Sequence, residues 1–313
     1  MQFISGISLV CFAASYAVAW LLELSQWFGR SRPRALLALG FVLAGLVAHS
    51  LYLGYRALEL SASPLSSNFD WCLLTAWLLT VTYLYLAYQY PQSPLGLYLL
   101  PLVLALVAAA ALADRAPLAP DSASRAWGMV HGVFLLLGTV AVMVGFAAGL
   151  MYLVQARRLK RKLPPTEGLR LPSLERLAKV NSRSIILSAL LVGMGFLSGI
   201  VLNIINRNLT GAVPWTDPVI GSSALMLAWL CGAAIFNALY QPARRGRKVA
   251  YLTIANFLFL VMTLAVLLWV DTKHSAGPHE PAPAAAAADD AATSSVPRTS
   301  ARPVAAHAPG GRP

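Results

Sequence analysis

Eight times along this chain a run of about 20 residues passes with almost no charge, at about 3–22, 35–54, 70–89, 95–113, 127–155, 184–205, 219–240 and 249–271. Roughly 20 apolar residues is the length a helix needs to cross a bilayer. In lipid every backbone N–H and C=O must be satisfied within the spanning structure, which leaves helices or closed barrels. Runs this long, rich in Leu and Ala, read as helices and not as barrel strands. The composition agrees, with 58% hydrophobic and 12% charged residues, against about 25% charged in a soluble domain. The expected fold is an all-α polytopic membrane bundle of about eight transmembrane helices.

The formal net charge of +12 raises the question of nucleic acid, but its distribution answers no. Arg30, Arg32 and Arg34 follow the first run, nine Lys/Arg fall in 157–183, and four more in "ARRGRK" at 243–248. With eight spans all three clusters share one side. The opposite loops hold only Arg56, Arg115, Arg125 and Arg207. This is the positive-inside pattern with both termini outside, in a bacterial inner membrane. The first run has "AVA" at 17–19 but no positive charge before it, so it reads as an uncleaved span.

Cys11, Cys72 and Cys231 lie in three different runs with no CxxC. They read as buried, inert thiols and support neither thiol redox chemistry nor a zinc site. "PSLERLAKV", in the long basic loop 156–183, reads as a short helix capped by Ser173. "GFAAG" (145–149) and "GFLSG" (195–199) are GxxxG patterns that allow close helix approach. The Ala/Pro-rich tail 275–313 has too little apolar surface to build a core and reads as disordered.

Polar groups in or near spans are expensive, so they are the informative positions. On the eight-span topology His49, His131 and His274 all reach the outer face, as does the loop "VPWTDPV" (213–219) with Trp215 and Asp217. Neutral imidazole is a common axial ligand of haem iron. Trp127 and His131 share a helix face, as do His49, Tyr52 and Arg56. Arg56, Arg125 and Arg207 are outer cations for propionates, and Trp215 can stack on a porphyrin. The plainer readings stand beside these. Interfacial His can simply hydrogen-bond, Trp populates membrane interfaces anyway, and Arg56 can pair with Asp70 across a short loop.

At these residues the sequence resembles the cytochrome c assembly family, which includes the CcsA/ResC subunit of the system II cytochrome c synthase and HemX-type relatives. The stretches that carry the resemblance are "AHSLYLGYR" (48–56), "SPLSSNFDW" (63–71), "HGVFLLLGTVAVMVGFAAGLMYLVQARRLKRK" (131–162), "LPSLERLAKVNSRSIILSALLVGMGFLSG" (171–199) and "HSAG" (274–277). The resemblance implies a chain organised as an N-terminal four-helix region, 1–126, an assembly-type core with an outer Trp/Asp loop, 127–274, and the tail. It implies haem b held by His131 and His274, with Trp215 and Asp217 as the platform. From the helix-face reading, Trp127 and Arg56 are further candidate haem contacts, and His49 is a second haem-site candidate within the membrane. The resemblance also implies attachment of haem to apocytochrome c, as part of a haem lyase complex with a ResB/CcsB-like membrane partner. Of the family's tryptophan-rich motif this chain keeps Trp215 and Asp217, and Tyr240 and Gln241 stand near where the family has a further His. Two other expectations remain open: a HemX-like regulator or assembly factor without haem ligation, and a small-solute transporter, against which the chain shows no inverted repeat.

Overall fold

A computed structural model describes residues 9–26, 31–59, 67–91, 93–113, 122–162, 171–206, 214–239 and 247–270. Among them are eight helices: α1 (Leu9–Ser25), α2 (Arg32–Glu59), α3 (Asn68–Gln89), α4 (Leu95–Leu112), α5 (Ser122–Lys160), α6 (Leu174–Asn206), α7 (Pro218–Leu239) and α8 (Arg247–Trp269). Seven are long and apolar enough to cross a membrane, and α1 is a shorter apolar helix. His274, Arg207, the side chain of Arg125, Tyr240, Gln241 and the tail lie outside the described residues.

Helices α1 to α4 pack in a ring, α1 on α2, α2 on α3, α3 on α4 and α4 back on α1. Helices α5 to α8 form a second ring with an added diagonal contact of α6 on α8. Packing of α3 and α4 on α5 joins the two rings, and the eight helices fall in one compact unit.

Side-chain contacts fix which helix ends lie together. At one end His49, in the later part of α2, stacks on Phe12 in the first turn of α1. Arg56, near the end of α2, meets Asp70 at the start of α3, and His131, early in α5, meets Gly195 late in α6. At the other end a methyl on Gly96, at the start of α4, would touch Glu23 late in α1. There Arg176 lies over the Tyr90 ring just after α3, 4.8 Å from its centroid, and Asn237 Nδ2 donates to Ser182 Oγ at 2.8 Å. Successive helices are therefore antiparallel. The basic starts of α2, α6 and α8 and the basic last turn of α5 all collect at this second end.

The outer surface carries large apolar side chains, among them Leu36, Leu37 and Val47 of α2, Leu190 and Leu197 of α6 and Leu258 of α8. Such a belt is what a lipid-facing surface requires, and a soluble surface rarely shows it. The interior is cross-linked by polar pairs, including Trp229 Nε1 to Asn256 Oδ1 at 2.8 Å.

Two expectations change. "PSLERLAKV" is no separate helix. Ser173 does cap a helix, its Oγ accepting from the Arg176 N–H at 3.4 Å, but that helix is α6 itself. From Leu174 to Val192 no Gly or Pro interrupts the chain, so the helix runs on through the charged stretch. With 39 and 33 residues, α5 and α6 span about 58 and 50 Å, well beyond a hydrocarbon core of about 30 Å. The cysteines also divide: Cys72 is buried, but Cys11 and Cys231 are exposed on the surface of the bundle. A thiol is small and weakly polar enough to face lipid as readily as a core.

Candidate functional site

The informative residues fall in two places, one in each ring. The first is His131. Its Nδ1 lies 2.7 Å from the carbonyl oxygen of Gly195 on α6. A carbonyl only accepts, so Nδ1 carries the proton and Nε2 is the basic nitrogen of the neutral ring. Ser198 Oγ donates to the same carbonyl at 2.7 Å and stands 3.5 Å from Nδ1. Fixing one ring nitrogen through a backbone carbonyl is how proteins orient an imidazole to present the other nitrogen to a metal.

Trp127 sits one turn before His131 on the same helix and is 40% exposed. Trp215 is 59% exposed, at the corner of a turn closed by the Asp217 N–H donating to the Pro214 carbonyl at 2.9 Å. Helices α6 and α7 pair so that Gly193 faces Leu227 and Ser182 bonds Asn237. Carried along that pairing, the start of α7 stands beside residue 202 or so, about 5 Å along the axis from Gly199. The structure thus brings His131, Trp127 and the Trp215 turn to one level at the end away from the basic loops.

Asp217 has a role that the sequence reading did not assign. Its Oδ1 accepts from the Val219 N–H at 2.8 Å, and its carbonyl accepts from the Gly221 N–H. It is the N-cap of α7, with Pro218 in the first helical position. Asp followed by Pro is the favoured chemistry for a helix start, and that signal was available in "TDPV". We expect Asp217→Ala to cost about 0.5–2 kcal/mol and Asp217→Asn much less, as read from thermal unfolding midpoints in detergent.

The second place is His49. It is fully buried, its ring stacked on Phe12 at 4.3 Å and 2°, and its Nδ1 shares a 3.3 Å hydrogen bond with the Tyr16 hydroxyl. Its Nε2 is buried with no hydrogen-bond partner among the described residues. The expectation placed this residue near the outer end of its span. Helix α2 continues to Glu59, about 15 Å past His49 along the axis. A porphyrin at Nε2 has to displace the packing around the ring, whereas His131 is only half-buried.

Arg56 is engaged by Asp70, Nε to Oδ1 at 2.8 Å and Nη2 to Oδ2 at 3.3 Å, and its guanidinium lies over the Phe69 ring at 4.6 Å. Ser67 caps α3 by accepting from the Asp70 N–H at 3.1 Å and donates to Asp70 Oδ2 at 2.7 Å. Of the two readings of Arg56, the pairing with Asp70 is the one that the geometry displays.

Among the described residues no three His, Cys, Asp or Glu side chains gather as a metal cage. Haem iron needs only one or two axial ligands from a protein, so the donor set suits haem better than a bare ion. His131, oriented and half-exposed, with the exposed Trp127 one turn before it on α5, fits such a ligand.

The sequence model described as "Cytochrome C assembly protein" matches residues 9–274. The chain belongs to the cytochrome c assembly protein family. Among similar proteins, the "Cytochrome c biogenesis protein CcsA" of Picosynechococcus sp. is 24% identical over 326 residues, covering 84% of this chain and 95% of the relative. The CcsA of Gloeothece citriformis is 27% identical over 318 residues with the same coverage. The match runs through all eight helices, so this family member is a multi-pass membrane protein. The family ties it to cytochrome c biogenesis.

Proposed function

We propose that this family member handles haem b for cytochrome c biogenesis at the end of the bundle opposite its basic loops, the outer face of a bacterial inner membrane. The observation that carries the reading is the His131 Nδ1–Gly195 carbonyl bond, which makes Nε2 the basic nitrogen of the ring. His131 would hold the iron together with His274, which follows the last helix in sequence and lies outside the described residues. Trp215 offers an exposed indole face at the same level, and Trp127 extends the apolar bed along α5.

When bound, haem supplies the vinyl groups that form thioethers with the reduced cysteines of an apocytochrome; that chemistry belongs to the cofactor and the thiols. The histidines of this chain would hold the iron, and the exposed indoles would supply apolar surface to the ring. A ResB/CcsB-like membrane partner supplies the large outer surface that an apocytochrome needs.

The test is a visible spectrum of the full chain purified in detergent with haem supplied. A Soret band is expected in the wild type, and its loss in His131→Ala/His274→Ala. One observation favours a second reading, a HemX-like assembly factor without ligation: Asp217 is committed to capping α7. Absence of a Soret band in the haem-supplied wild type rejects the first reading and selects this one.

A further inference from the structure

The "GFLSG" segment has a use that the GxxxG pattern alone does not convey. Such patterns let two helix backbones approach, and "GFAAG" does so: a methyl on Gly149 would lie 3.1 Å from the Ala250 carbonyl oxygen of α8. At Gly199 the neighbour is no backbone but the imidazole of His131. A methyl there would lie 2.8 Å from Cε1 and 3.0 Å from Nδ1. At Gly195 a methyl would lie 2.6 Å from Leu135 Cδ2, one turn along α5 from His131. The imidazole therefore rests in a notch made by the missing side chain of Gly199, with the Gly195 carbonyl below it and Ser198 beside it.

We propose that Gly195, Ser198 and Gly199 are positioning residues for the iron ligand His131, a reading that rests on the haem function above. Gly199 sets where the ring stands. The Gly195 carbonyl sets its tautomer and makes Nε2 more electron-rich by accepting from Nδ1–H. Ser198 tunes that bond, because its hydroxyl donates to the same carbonyl and draws off part of the acceptor strength.

Two variants of the full chain, purified with haem supplied, test this. Gly199→Ala pushes the ring out of its notch. Haem affinity should fall by about 10–100-fold, the range for losing an outer partner of a metal-ligating histidine, with a shifted Soret band and unchanged helical content. In a His131→Ala background the methyl enters vacated space, so Gly199→Ala should add no further loss of haem and no loss of thermal stability. Ser198→Ala leaves the Gly195 carbonyl to the imidazole, so the midpoint potential of bound haem should move down while affinity holds.

A wild type that binds haem while Gly199→Ala leaves affinity and spectrum unchanged overturns the inference and spares the functional reading. So does a Gly199→Ala defect that persists at equal size without His131, because it then reports helix packing. An unmoved potential in Ser198→Ala removes Ser198 from the proposal. A wild type that takes up no haem overturns both the inference and the functional reading.

Discussion

Arg56→Met should destabilise the protein by about 3–5 kcal/mol, the cost of stranding one charge of a buried pair. Asp70 is 7% exposed and takes both prongs of the Arg56 guanidinium, at the start of a membrane helix where an unpaired carboxylate finds little water. The loss should show as a lower detergent unfolding midpoint and a lower membrane yield. Arg56→Met/Asp70→Leu should recover most of it, because removing both charges also removes the cost of burying them. The same series decides between the two readings of Arg56. If Arg56→Met stays stable and loses haem instead, the guanidinium serves a propionate and the bridge to Asp70 is secondary.

Gly149→Leu should be the other severe substitution. A Cβ at this position would already lie 2.5 Å from Thr253 Oγ1 and 3.1 Å from the Ala250 carbonyl oxygen. Backbone is among what it meets, so α5 and α8 must part. Overpacking of a tight contact costs about 1–3 kcal/mol and occasionally more; a leucine against a carbonyl belongs at or above the top of that range. Gly232 of α7 is the internal control, with nothing within 4 Å of an added Cβ. Gly232→Ala should be neutral or stabilise by up to about 1 kcal/mol through helix propensity. Equal effects at the two glycines would show that α8 does not sit against α5 at Gly149.

Much of this was readable before any coordinates. The spans were legible because lipid tolerates so few charges that a run of about 20 apolar residues has little other use. Their ends were not, because α5 and α6 continue through Arg, Lys and Glu residues that favour helix in water as well. Arg56 and Asp70 were legible as a pair because only 14 positions separate them in the sequence. The burial of His49 was not legible, since it depends on Phe12 and Tyr16 of a neighbouring helix. Asp217 was read for its charge when its place before Pro218 marked a helix start. The link between His131 and "GFLSG", two motifs noted separately, depends on how α5 is registered against α6, and no single segment encodes that.

That register has a consequence for which length changes the chain can absorb. His131 meets Gly199, Gly138 meets Val192 and Gly145 meets Ser184, as on a zip whose teeth are numbered in opposite directions. One codon inserted within 132–137 turns His131 by about 100° around α5 relative to every later tooth. The ring then faces away from α6 even though no side chain has been replaced. The same codon inserted in the 163–170 connection leaves each tooth opposite its partner. Tolerance to insertion should therefore change abruptly at the ends of these two helices, and a scan of single-residue insertions would trace the zip directly.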